Sequence, residues 1–158
     1  MRTMPTPIRY HFNQSFIVSA KEAYLWCTDF TPQDHKLLDE NNAEREVVHL
    51  ADSTLILKET FHTSSGIIEK QKLVQLYPER FSWVSTHLTG PNMYSQFIYE
   101  ISEKGADISC LDFTALHLEY REKKLGAKEA KVLAAKLCEY DSKVWKLLAK
   151  ALEKELKK

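Results

Sequence analysis

"KLCEYDSKVWKLL" (residues 136–148) repeats its apolar residues at helical spacing, after some 78 residues that alternate with a period of two. That change of period decides the architecture. At 100° per residue, Leu137, Asp141, Val144 and Leu148 fall on one helix face. The helix reads from roughly Lys124 to Leu156, about 30 residues or about 45 Å long. Asp141 sits in the middle of the stripe that the helix should bury. A bare carboxylate against an apolar wall is costly, so it must be hydrated, hydrogen-bonded or protonated. Three placements follow: water where the helix crosses a cavity, a bond from a sheet tyrosine, histidine or tryptophan N–H, or a polar anchor for a ligand. Gly126, on the same stripe, reads as a close approach to the sheet, a bend, or a cap.

Upstream, residues 43–120 read as six strands: "EREVVHL", "TLILKETFHT", "GIIEKQKLVQLY", "RFSWVSTHL", "MYSQFIYEIS" and "DISCLDFTALHLEY". The breaks "ADS", "SSG", "PE", "TGPN" and "EKGA" carry turn chemistry, and their shortness predicts an antiparallel meander. A first strand, "RYHFNQSFIV", ends at "SAKE", where Ser19 and Glu22 form a capping box for a short helix, "KEAYLWCTDF". Thr31 as N-cap and Pro32 at the first helical position predict a second short helix running to about "DENN". Neither the sheet nor the long helix buries its apolar face alone, so the two must pack together.

The length of 158 residues suits one domain, residues 1–158, with one core. Lys+Arg and Asp+Glu balance at 22 each, which argues against a nucleic-acid partner bound through overall charge. Four glycines leave no phosphate-cradling loop. The start, "MRTMPTPIRYHF", lacks the apolar core of a signal peptide, and no run approaches bilayer length. We therefore expect a cytoplasmic protein with no stable membrane insertion. Cys27, Cys110 and Cys138 read as buried thiols in a reducing compartment, and the sequon Asn13-Gln14-Ser15 is discounted. The six histidines are scattered without metal-ligand spacing, so neither a metal nor a cofactor is expected. No serine or cysteine sits in a nucleophile elbow.

The order strand, two short helices, six strands, long helix resembles the helix-grip fold of the START-like (SRPBCC) superfamily over nearly the whole chain. That group includes the birch-pollen allergens, the polyketide cyclase/dehydrase family and the coenzyme Q-binding proteins. The cyclase/dehydrase-like and coenzyme Q-binding branch is the nearest match. "FIVSAKEAYLWCTDFTP" (16–32) is similar to its opening, "LYPERFSWVS" to its proline turn and aromatic strand, and "YSQFIYEIS" to the strand after. The glycine-rich loop of the plant allergens is missing, with "HLADSTL" in its place. The resemblance implies an α+β fold, a curved seven-stranded antiparallel sheet around the long helix. It also implies a cavity between them for an apolar or amphipathic small molecule or lipid.

Strand alternation selects the cavity side. Leu55, Leu57, Glu59 and Phe61 share one face, as do Phe81, Trp83, Ser85 and His87, and Met93, Ser95, Phe97, Tyr99 and Ile101. In the last strand, Cys110, Asp112, Thr114 and Leu116 oppose Leu111, Phe113, Ala115 and His117, and neither set is clearly the wet one. The candidate lining is Glu59, Phe61, Trp83, His87, Phe97, Tyr99, Leu137, Asp141, Val144, Trp145 and Leu148. Trp83, Phe97, Tyr99 and Trp145 read either as ordinary core or as an aromatic wall. Glu59 and His87 read either as hydrated rim residues or as a pair that orients a ligand or moves a proton. The leading expectation is a carrier or sensor, not an enzyme. The alternatives are a polyketide cyclase/dehydratase-like enzyme and a protein-interaction module with an unknown partner.

Overall fold

The computed structural model of the protein describes residues 4–30 and 43–157. Seven strands form one antiparallel sheet: β1 (Thr6–Phe16), β2 (Ala43–Ala51), β3 (Thr54–Thr63), β4 (Gly66–Tyr77), β5 (Ser82–His87), β6 (Gln96–Gly105) and β7 (Ile108–Glu119). Strands β2 to β7 follow one another as neighbours, and β1 joins the far edge beside β7, giving the order β1-β7-β6-β5-β4-β3-β2. Helix α1 (Ala20–Cys27) follows β1, and α2 (Ala127–Leu156) closes the chain. The second short helix expected from Thr31 lies outside the described residues.

Element bounds differ from the sequence reading where local chemistry intervenes. Strand β1 starts at Thr6 and includes Pro7, which an edge strand tolerates. Strand β6 starts only at Gln96: Tyr94 has φ 71°, so the Met93–Ser95 stretch turns instead of extending. Strand β5 starts after Phe81, which adopts φ 49° as it leaves the short turn Pro78–Arg80. At the start of α1, the Ser19 hydroxyl oxygen accepts from the Glu22 N–H at 3.2 Å. The Ser19 hydroxyl in turn donates to the Glu22 carboxylate at 3.0 Å, and the Ala20 N–H donates to Glu103. Gly126 is the N-cap of α2; a Cβ there would meet nothing nearer than the Glu129 carboxylate at 3.8 Å, so close approach to the sheet does not explain it. The three cysteines are half-buried, not buried.

The helix joins the buried core at its C-terminal end. Ala149 and Leu152 of α2 are buried, together with Phe16, Val18, Ala20 and Leu111. This end is also pinned by polar contacts: the Ile17 N–H donates to Glu153 at 3.1 Å, and Trp26 Nε1–H donates to Glu155 at 2.8 Å. Strand β7 resolves its ambiguity here. Leu111, Phe113 and Ala115 are buried, so the face that carries His117 is the inner one. Farther toward its N-terminus, α2 buries no residue completely; Leu137, Asp141, Val144, Trp145 and Leu148 are only half-buried. The middle of the helix therefore stands over space.

Candidate functional site

That space is a cavity of about 450 Å³ between α2 and the concave sheet face. All eleven residues expected at the lining border it: Glu59, Phe61, Trp83, His87, Phe97 and Tyr99 from the sheet, and Leu137, Asp141, Val144, Trp145 and Leu148 from the helix. Period-two alternation delivers the first group and the 3.6-residue period the second. The central wall is aromatic. Trp83 and Tyr99, cross-strand partners on β5 and β6, stack at 4.6 Å with planes 4° apart. Tyr99 meets Phe113 edge-on at 5.1 Å and Trp145 of the helix at 5.8 Å.

Asp141 faces this cavity, and it has a partner. The Tyr10 hydroxyl, on β1, donates to its carboxylate at 2.5 Å. Burial pushes the Asp141 carboxyl above the ordinary carboxylate range; the Tyr10 bond and the nearby His117 offset part of that. Burial also raises the Tyr10 phenol, with its bond to Asp141 as the next cause. Tyr99 is raised by burial and then by the Asp141 charge, and its hydroxyl has no hydrogen-bond partner among the described residues. One end of the cavity thus gathers a carboxylate, two phenols and the imidazole of His117, which also contacts Glu119 at 3.3 Å.

The other end is ionic, and here the sequence reading needs correction. Glu59 is not a hydrated rim residue: it is 2% exposed. Lys72 reaches one of its oxygens at 2.8 Å, and Arg45 reaches the other at 3.3 Å. Nor does any hydrogen bond join Glu59 to His87 among the described residues. The His87 ring lies across from Lys72 in the β4–β5 register, and its Nδ1 is 3.1 Å from Asn92 Oδ1. Burial, then the charge of Lys72, lowers His87 to about 4. A neutral ring with Nδ1–H donating to Asn92 leaves Nε2 as an acceptor.

Sequence reasoning missed Tyr10, Arg45, Lys70, Lys72, Asn92 and His117 at the lining. His117 lay in a strand whose faces were too alike to separate. Tyr10 follows from the same alternation as buried Ile8, two residues earlier. Lys70 and Lys72 share a strand face with buried Val74, a signal that outweighs the usual reading of lysine as solvated.

No family model matches the sequence, and no curated protein matches it. Solved structures do. The aromatase/cyclase Zhui from Streptomyces sp. R1128 superposes with TM-score 0.72 at 13% identity, covering 95% of this chain and 96% of that one. Norcoclaurine synthase from Thalictrum flavum, in complex with dopamine and hydroxybenzaldehyde, gives 0.69 at 14%, covering 97% and 88%. A START superfamily protein from Mycobacterium smegmatis gives 0.64 at 14%, covering 93% and 98%. At these identities the likeness is one of fold: the chain has the START-like helix-grip fold. Among the described residues, no helix is long and apolar enough to cross a membrane, and no three His, Cys, Asp or Glu side chains cluster to hold a metal.

Proposed function

We propose that the protein binds an amphipathic small molecule in the cavity under α2, as a carrier or sensor in a reducing compartment. The observation that carries this reading is the half-buried middle of α2 over about 450 Å³ of aromatic-walled space. In this reading Trp83, Phe97, Tyr99 and Trp145 pack the ligand body. Leu137, Val144, Leu148 and Phe61 complete the apolar lining. Asp141 and the Tyr99 hydroxyl hold a ligand hydroxyl or carbonyl. A solved neighbour of like fold, norcoclaurine synthase, is in complex with the small molecules dopamine and hydroxybenzaldehyde, which supports a small-molecule ligand here.

A second reading has its own support. Tyr10 and Asp141 are two titratable groups in hydrogen-bond contact inside the cavity, as acid–base work on a polyketide-like substrate requires. The interaction-module reading is weaker, because the space is open and not filled by the protein's own aromatics.

Native mass spectrometry of the purified protein, followed by solvent extraction, tests the binding reading. A bound species of small-molecule mass is the expected result. Protein that is consistently empty, with no thermal shift against a panel of apolar and amphipathic compounds, would reject it. Turnover of a polyketide-like substrate that fails in Asp141→Asn would move the assignment to the enzyme.

A further inference from the structure

The cavity is polar at two ends of different chemistry, and at the ionic end two lysines, Lys70 and Lys72, line it beside one buried carboxylate, Glu59. Arg45 and Lys72 each reach an oxygen of the Glu59 carboxylate. Lys72 has three N–H donors and turns toward the cavity with its side chain 27% exposed. A further cation, Lys70, stands on the same face of β4, its ammonium 5.3 Å from the centre of the Phe61 ring. The depressed pKa of His87 agrees with a positive potential there, since both lysines contribute to it.

We infer that the ligand is a singly charged organic acid, its anionic group against Lys72 and Lys70 and its ring body on the Trp83–Tyr99 wall. This rests on the binding reading above and adds the ligand's chemical class to it. The charge is single because Lys70 and Lys72 set against Glu59 leave one positive charge to match, and the nearby Glu59 disfavours a second negative charge. The ligand spans from the ionic end toward the Asp141 end. Strands β1, which carries Tyr10, and β4, which carries both lysines, are four steps apart in the sheet. At about 4.8 Å per step that is about 19 Å along the arc, and less across the concavity. A rigid, elongated aromatic acid with a hydroxyl or carbonyl at its far end fits both poles. A short acid would reach one.

The test uses two probes with the same ring body. 1-Anilinonaphthalene-8-sulfonate carries one negative charge; N-phenyl-1-naphthylamine carries none. Binding to the full chain is read by probe fluorescence and by energy transfer from Trp83 and Trp145. We expect one site and at least about tenfold tighter binding of the anion, a difference of about 1.4 kcal/mol. Lys70→Gln and Lys72→Gln should each shrink that preference severalfold, and Lys70→Arg should restore it. Lys70→Gln keeps the test informative if Lys72→Gln fails to fold. Equal binding of both probes, or a preference unmoved in Lys70→Gln and any folded Lys72→Gln, overturns the anion anchor and leaves the cavity reading standing. Binding of neither probe takes down both.

Discussion

Tyr10→Phe removes one oxygen and should reveal how Asp141 is tolerated on the buried stripe. The hydroxyl donates to a carboxylate whose desolvation already favours the protonated form. A hydrogen bond to a charged group contributes about 1.5–3 kcal/mol. At about 2.1 cal/mol/K of unfolding entropy per residue, the 158-residue chain loses roughly 330 cal/mol/K on folding, so Tm should fall by about 5–9 °C at pH 7. The pH dependence gives a sharper check. The bond favours charged Asp141, so its loss raises the folded-state pKa further above the unfolded value. A raised carboxyl makes the folded state the better proton binder, and stability declines as pH rises from the unfolded to the folded pKa. The variant's deficit should therefore be largest at neutral pH and shrink in acid, below the unfolded pKa, where Asp141 is protonated in both states. Thermal unfolding from pH 3 to 8, with Asp141→Asn and the double variant completing a cycle, measures this. A deficit below about 0.5 kcal/mol at pH 7, or one that is the same at pH 3, would refute the account of Asp141 as a desolvated carboxylate held by Tyr10.

Other expectations follow from the same geometry. Glu59→Gln leaves Lys72 beside a neutral amide and should cost about 3–5 kcal/mol in urea unfolding, as for a broken buried ion pair. A cost under about 1 kcal/mol would mean the network is hydrated. His87 lies near 4 when folded and near 6.5 when unfolded, so its contribution is present above pH 6.5 and lost as pH falls through 4. His87→Gln should thus flatten the acid side of the stability profile by roughly 3 kcal/mol between pH 6.5 and 4, and an unchanged profile would show the ring is not held neutral. Ser19→Ala should cost about 1 kcal/mol by thermal unfolding, through the exposed Glu22 amide at the start of α1.

Period carried most of what the sequence revealed. Alternation and helical spacing each assign a residue to a face, and a curved sheet facing one helix turns faces into a cavity. Hence Trp83, Tyr99 and Asp141 were legible together without knowledge of any contact between them. What remained hidden depended on which elements come alongside each other. Tyr10 and Asp141 are 131 residues apart, and their bond exists because α2 lies beside β1. Nor could composition separate the two faces of β7, since each carries both apolar and polar side chains. Burial of Leu111, Phe113 and Ala115 follows from where the core lies.

Asp141 and Glu59 show two ways of keeping a carboxylate on an inner face, and the difference bears on function. Glu59 is nearly inaccessible and contacted by two cations, so it serves as part of the wall. Asp141 has a single neutral donor, stands beside a tyrosine hydroxyl with no partner among the described residues, and is only half-buried. A structural carboxylate needs saturation; one that must accept from a guest needs vacant lone pairs. A carboxylate takes about four hydrogen bonds, and Tyr10 supplies one. The remaining capacity opens on the cavity, within a stripe whose other members are apolar. The helix therefore aims a charge at the surface it packs against because, at mid-length, that surface is a cavity with the Tyr10 hydroxyl of β1 in reach.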